Sequence, residues 1–175
     1  MRSALLSAVL LVAGACAQLE TKVPQDVEFH LSGRLAARYG NEAFSGNIAR
    51  RHARSADEML ITSSLGAGVA RIVRNGDAVV LSTAEPREYK ATDAEALTEE
   101  VLGFRVPLAG LADWVRGRPS TDAPATAEYA PDGRLLSLQQ RGWNIEYLDY
   151  QEKRPSRLRL TYPGIELRLA ISEWK

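Results

Sequence analysis

The sequence predicts a mainly β protein with a small α component, folded as an incomplete, strongly curved antiparallel β-barrel with helices as its plug. Three observations predict it. Apolar residues alternate with period two at both ends of the chain, turn dipeptides separate the alternating runs, and the period becomes helical only in the middle. Period two places successive side chains on opposite faces of a strand, so one face meets a core and the other meets water.

Taken in order, Val27, Phe29, Leu31, Leu35, Ala37 and Tyr39 form the apolar parity of a first strand, with Glu28, His30, Arg34 and Arg38 opposite. After a turn at Gly40-Asn41, Phe44, Gly46 and Ile48 continue the alternation. Met59 to Ser63 and Val69 to Val73 are further strands, and Asn75-Gly76 is a favoured two-residue turn leading into Val79 to Ser82. Thr92 followed by Glu95 has the form of a capping box, and Ala94, Leu97 and Val101 recur at helical spacing up to Gly103. A second helix is expected after Pro107, with Leu108, Leu111, Trp114 and Val115 on one face and Gly117 as its stop. A stripe of this kind ordinarily packs a helix on a sheet. Strands resume at Leu135 after Pro131-Asp132-Gly133. They continue through Trp143, Ile145 and Tyr147, then Leu158, Leu160 and Tyr162, then Ile165, Leu167, Leu169 and Ile171. Nine to eleven strands are expected in all.

Charge and composition exclude several classes. The chain has 175 residues with 22 basic and 22 acidic side chains, so it lacks the basic excess of a general nucleic-acid binder. No Gly-rich phosphate loop, zinc spacing or Gly-x-Ser-x-Gly elbow is present. His30 and His52 are expected on the surface, and the arginines on solvated strand faces. Glu99 and Glu100 read as a solvated helix flank. These residues motivate no enzyme and no cofactor or metal.

The amino terminus carries an address. Arg2, the apolar run from Ala4 to Ala15 and the small residues before Cys16 have the form of a secretory signal peptide, too short to span a bilayer. The single cysteine at that junction resembles the bacterial lipobox, in which the thiol is acylated and the peptide is cut before it. Ala13 stands where that motif usually has Leu, and ordinary signal cleavage leaving a free thiol is the alternative. The resulting division is residues 1–15 as signal, 16–26 as lipidated terminus and tether, and 27–175 as a single domain. Ala17, in place of the Asp associated with inner-membrane retention, gives an outer-membrane expectation. Several acyl chains on one residue would make the anchor effectively permanent, since each buried methylene contributes about 0.8 kcal/mol.

The ordered set of motifs resembles the LolB family of outer-membrane lipoprotein receptors. It comprises Phe29 to Ala36, Phe44-Ser45-Gly46, Leu60 to Gly66, Leu102-Gly103 and Val106-Pro107-Leu108, then Leu111 with Trp114, Gly117-Arg118-Pro119, Gln139, Gly142-Trp143, Tyr147 and Trp174. The resemblance implies an incomplete barrel under a helical lid, an apolar acyl cavity, and a monomer on the periplasmic face of the outer membrane. Its implied partners are a LolA-like periplasmic carrier, the acyl chains of lipoprotein cargo, and outer-membrane lipid. Cavity candidates on the apolar parity are Phe29, Leu31, Leu35, Phe44 and Ile48, joined by Leu97, Val101, Leu111 and Trp114 of the helices.

The family also implies a loop, usually Pro-Leu-Gly, that delivers cargo to the bilayer. Ser64, Leu65 and Gly66 match it, with Ser64 in the proline's place and a less rigid loop expected. Read alone, Leu65 would fold back onto the core, and the resemblance reverses that reading. Arg50-Arg51-His52 stands where an aromatic is common, so the neighbouring cavity wall is expected to differ. The rival reading is a structural or assembly lipoprotein whose solid barrel binds protein partners.

Overall fold

The computed structural model describes residues 27–85 and 87–175. The strands are β1 (Val27–Tyr39), β2 (Glu42–Ala53), β3 (Ala56–Ser63), β4 (Gly68–Asn75), β5 (Ala78–Thr83), β6 (Glu88–Ala91), β7 (Ala125–Tyr129), β8 (Leu135–Gln140), β9 (Trp143–Gln151), β10 (Arg154–Tyr162) and β11 (Ile165–Trp174). The helices are α1 (Ala94–Leu102) and α2 (Leu108–Trp114), both on the connection between β6 and β7. All eleven strands form one antiparallel sheet in the order β6-β5-β4-β3-β2-β1-β11-β10-β9-β8-β7. Two meanders therefore meet where the first strand pairs with the last, Leu35 opposite Leu169 and Ala37 opposite Leu167. The two outermost strands, β6 and β7, do not pair, so the sheet stays open.

Parity sets which face is inside. Along β1, Phe29, Leu31, Leu35 and Ala37 are buried, and β11 answers with Leu167, Leu169 and Ile171. Burying such side chains contributes about 1.5–3 kcal/mol each, which is what fixes the register. Turn chemistry agrees with one adjustment. Gly40-Asn41 joins Tyr39 to its partner Glu42 as expected, but Asn75 pairs with Ala78 and belongs to β4, so the tight turn is Gly76-Asp77. The sequence reading found no strand signal for β6 or β7. Both are short; β7 is mostly exposed, and β6 turns only Tyr89 and Ala91, half-buried, toward the core.

The helical segment fills the concave side. Helix α1 starts one residue later than the capping-box reading implies: Asp93 is the cap, its carboxylate accepting from the Glu95 and Ala96 amides at 2.9 and 3.1 Å. The aspartate satisfies two amide donors that the helix leaves free, so Thr92 stays outside. Leu97 and Thr98 are its buried residues, and the Thr98 hydroxyl accepts from the Val106 amide at 2.9 Å, fastening the inter-helix loop. Helix α2 is buried almost throughout and is pinned to the sheet at its carboxyl end. The Trp114 indole donates to Gln140 Oε1 at 2.7 Å, and the Tyr147 hydroxyl donates to the Trp114 carbonyl at 2.9 Å. Burial pushes the Tyr147 phenol well above its ordinary pKa, so it remains a donor. Among the described residues, the strands and helices run from Val27 to Trp174 and enclose one contiguous apolar core.

Candidate functional site

The apolar interior lies between β1, β2, β3, β10 and β11 on one side and the helical segment on the other. A small cavity persists there, lined by Leu35, Ile48, Met59, Phe104, Leu111 and Leu169 among others. Its volume is about 20 Å³, room for roughly one water molecule and far less than an acyl chain. The helices thus act as a plug in this conformation. Of the cavity candidates, Leu35, Ile48 and Leu111 line this space, while Phe29, Leu31, Leu97 and Trp114 are buried in the surrounding core. Phe44 and Val101 are half-buried and pack on that core from its rim. Met59, Leu160, Leu167 and Leu169 were not among the candidates, although the last three fall on an apolar parity readable from the chain. Phe104 and Val106 follow no periodicity, because they lie between the helices.

The β3–β4 turn presents the reverse chemistry. Leu65 is 98 % exposed at its tip. Below it the turn is tightly made: the Gly66 amide donates to Ser63 O at 2.9 Å, and the Ser63 amide donates to Ala67 O at 2.8 Å. Gly66 has φ +87°, a conformation that side chains resist. Ser64 occupies the second turn position, where proline would preset φ, and its hydroxyl instead donates to the Ser45 carbonyl of β2 at 3.3 Å. That tie supplies part of the restraint a proline would give. Leu65 does not fold back on the core.

A polar cluster breaks the inner face of β2 and β3. Arg50, expected on a solvated face, is 1 % exposed, and His52, expected on the surface, is 9 % exposed. Both continue the inward parity of Phe44, Gly46 and Ile48, and parity outweighs side-chain polarity because Asp57 on β3 receives them. Asp57 Oδ1 accepts from Arg50 Nε at 2.8 Å and pairs with His52 Nδ1 at 2.9 Å, while Oδ2 accepts from Arg74 at 2.7 Å. Burial raises the Asp57 pKa, but the hydrogen bond with His52 and the charge and hydrogen bonds of Arg50 and Arg74 outweigh it and hold the carboxyl at about 2. Arg50 Nη2 also donates to the Leu108 carbonyl at 3.3 Å, so one buried side chain joins the sheet to the start of α2.

His52, Asp57 and Arg74 open onto a polar cleft of about 720 Å³ that also takes in Asp93, Glu95, Arg105 and Arg141. Burial pushes the Glu95 carboxyl up, partly offset by Arg105. The cleft adjoins the apolar cavity, Leu108 facing the first and Pro107 the second. Among the described residues no group of His, Cys, Asp or Glu could hold a metal ion. Cys16 and the tether to Asp26 lie outside the described residues.

Residues 27–174 match the family model described as "LolB: Outer membrane lipoprotein LolB". An outer-membrane lipoprotein LolB of Thiobacillus denitrificans is 36% identical over 99% of this chain and 97% of its own length. The namesake from Nitrosomonas europaea is 37% identical over 84% of this chain and 72% of its own. Among solved structures, a DUF1329 family protein from Desulfovibrio piger superposes with a TM-score of 0.53 at 7% identity, covering 84% of each chain, a likeness of fold alone. An open antiparallel sheet around a helical plug, an exposed leucine on a tight turn and these matches across the whole folded segment agree, and the chain belongs to the outer membrane lipoprotein LolB family.

Proposed function

We propose that this chain is a noncatalytic receptor at the outer membrane: it accepts acylated lipoproteins from a LolA-like periplasmic carrier into its apolar interior and passes them to the bilayer. Acylated Cys16 anchors it on the periplasmic face, residues 16–26 serve as a tether, and residues 27–175 work as a monomeric acyl-binding unit. Leu65 is the observation that carries the reading. A large apolar side chain held almost wholly in water by a braced turn is stabilised when it enters lipid, and family membership supports the same role.

The physics of transfer sets the rest. Acyl chains in water expose apolar area at about 25 cal/mol per Å², so cargo has to pass between hidden environments. Handover without an energy source requires only that the receiver bind more tightly, each tenfold corresponding to about 1.4 kcal/mol. The 20 Å³ cavity means that α1 and α2 must withdraw for cargo to enter, breaking the Arg50–Leu108 bond and exposing Ile48, Met59 and Leu169 to the incoming chains. The test is transfer: a purified carrier loaded with lipoprotein is incubated with this chain and then with vesicles. Movement of cargo to the chain and on to lipid supports the reading, and cargo that never leaves the carrier refutes it.

The same small cavity favours a second reading, a structural or assembly lipoprotein with a solid barrel. A Cys16→Ala chain lacking residues 1–15, titrated with a fluorescent fatty acid, separates the two. Saturable binding supports the receptor, and no binding favours the solid barrel.

A further inference from the structure

Arg50 is wholly buried, yet its guanidinium is only partly used. Nε and Nη2 both reach Asp57 Oδ1, at 2.8 and 2.7 Å, and Nη2 also donates to Leu108 O, while Nη1 is buried with no acceptor. Protein interiors seldom keep a charged donor in that state, because it has left water and gained nothing. The surroundings offer no relief. Asp57 divides one negative charge among Arg50, Arg74 and His52, so the cluster is rich in donors and poor in acceptors.

The place of this spare donor is as informative as its chemistry. On β2, Ile48 lines the apolar cavity and His52 the polar cleft, with Arg50 between them. On β3, Met59 lines the cavity and Asp57 the cleft, and Arg50 pairs in register with Met59. Across the interior, Pro107 borders the cavity, and Leu108, whose carbonyl Arg50 holds, borders the cleft. Arg50 therefore marks the line at which the interior changes from hydrocarbon-like to polar. A ligand that crosses this line, with an oxygen acceptor where its own hydrocarbon ends, meets the unmet donor; an acyl ester or acyl amide has that form.

We propose that Arg50 Nη1 donates to an acyl carbonyl oxygen of bound cargo, with the chains lying toward Ile48 and Leu169 and the head with its following peptide toward the His52–Asp57–Arg74 cleft. The proposal rests on the acyl-cavity reading and adds a polar subsite and a direction to it. Opening the plug releases Leu108 from Nη2, so a second donor becomes free as the ligand arrives. The carbonyl has two sources, the acylated amino-terminal cysteine of a lipoprotein or a phospholipid ester.

The experiment uses the Cys16→Ala chain lacking residues 1–15 and three probes: a triacylated cysteine peptide, a diacyl phosphatidylethanolamine, and diphenylhexatriene, a hydrocarbon without a carbonyl. Arg50→Met is the main variant, since Asp57 keeps His52 and Arg74. Arg50→Lys is the second, its compact ammonium drawn to Asp57 without the guanidinium fork. The expected result is diphenylhexatriene binding held or raised, since loss of the Arg50–Leu108 bond eases withdrawal of the plug, and triacylated peptide binding weakened tenfold or more relative to it. Equal weakening for the phospholipid assigns the site to acyl carbonyls in general; a loss confined to the peptide assigns it to cargo. If neither variant folds, infrared spectra of carbonyl-labelled peptide on the unaltered chain decide. A carbonyl band lowered from its position in alkane supports the hydrogen bond, and an unshifted band overturns it. A folded Arg50→Met protein that binds peptide and hydrocarbon as before also overturns it. A chain that binds no diphenylhexatriene fails the acyl-cavity reading itself, and the proposal falls with it.

Discussion

Replacing Leu65 by glutamate separates delivery from folding and from acyl binding. The side chain is 98 % exposed, and the bonds that make its turn run through the Ser63, Gly66 and Ala67 backbone and the Ser64 hydroxyl. The substitution should therefore change folding stability by no more than about 0.5 kcal/mol, as for other surface positions without contacts. Acyl binding should not change either, because the exposed Leu65 side chain takes no part in the cavity lining of Leu35, Ile48 and Leu111. Entry into lipid is where the loss falls. Full burial of a leucine is worth about 1.5–3 kcal/mol, roughly ten- to hundredfold in partition, and a carboxylate adds a desolvation penalty. Three assays read these apart: urea unfolding, fluorescent fatty-acid titration, and transfer of cargo to vesicles. The first two should match the unaltered chain, while delivery to vesicles drops at least tenfold. A Leu65→Glu protein that delivers normally, or that loses acyl binding together with delivery, refutes the reasoning.

Three other outcomes follow from the interior. Trp114→Phe keeps a ring but loses the indole donor to Gln140, whose Oε1 still accepts from the Ser120 amide at 2.9 Å; urea unfolding should show a loss of about 1–2 kcal/mol, against about 3–5 for Trp114→Ala. Gly110→Ala ordinarily strengthens a helix by about 1 kcal/mol, but here a Cβ would sit 2.2 Å from the Trp114 ring, so the melting temperature should fall instead of rise. Asp57 is held at about 2 against an ordinary 3.8, so as pH falls the unfolded chain takes up this proton first. Its contribution, about 2 kcal/mol, is complete above about pH 4 and disappears between about pH 4 and pH 2. Asp57→Asn should flatten that part of the stability profile measured by urea unfolding, and an unchanged slope would count against the cluster.

What could be read from the chain depended on whether burial left a periodic trace. The alternation in β1, and in β11 from Ile165 to Ile171, is regular because one face packs and the other is wet, while an irregularity beyond Ile171 brings Trp174 onto the core from the opposite parity; α1 announces itself by Ala94, Leu97 and Val101. Strands β6 and β7 leave a weaker trace: they are sheet edges of 4 and 5 residues, and only Tyr89 and Ala91 of β6 and Ala127 of β7 are half-buried against the core, too few to set a visible period. The polar cluster failed for a different reason. Arg50 and His52 stand on the inward parity, and reading them as surface residues let side-chain type override position. The signal that could have corrected this is Asp57, whose place opposite His52 follows once β2 and β3 are paired. Leu65 shows the converse, since its exposure comes from turn geometry and was legible only through the family resemblance.

The unpaired strands β6 and β7 lie at opposite ends of one sheet, and the chain passes from one to the other only through α1 and α2. A fully closed barrel admits a lipid tail tied to a folded protein only through its ends. A wall with a slit admits such a molecule sideways: the greasy end slips in broadside while the folded part never leaves the water outside. On the receptor reading proposed above, the segment that joins the two edges is also the one that fills the interior, so clearing the space and opening the edge would be a single movement.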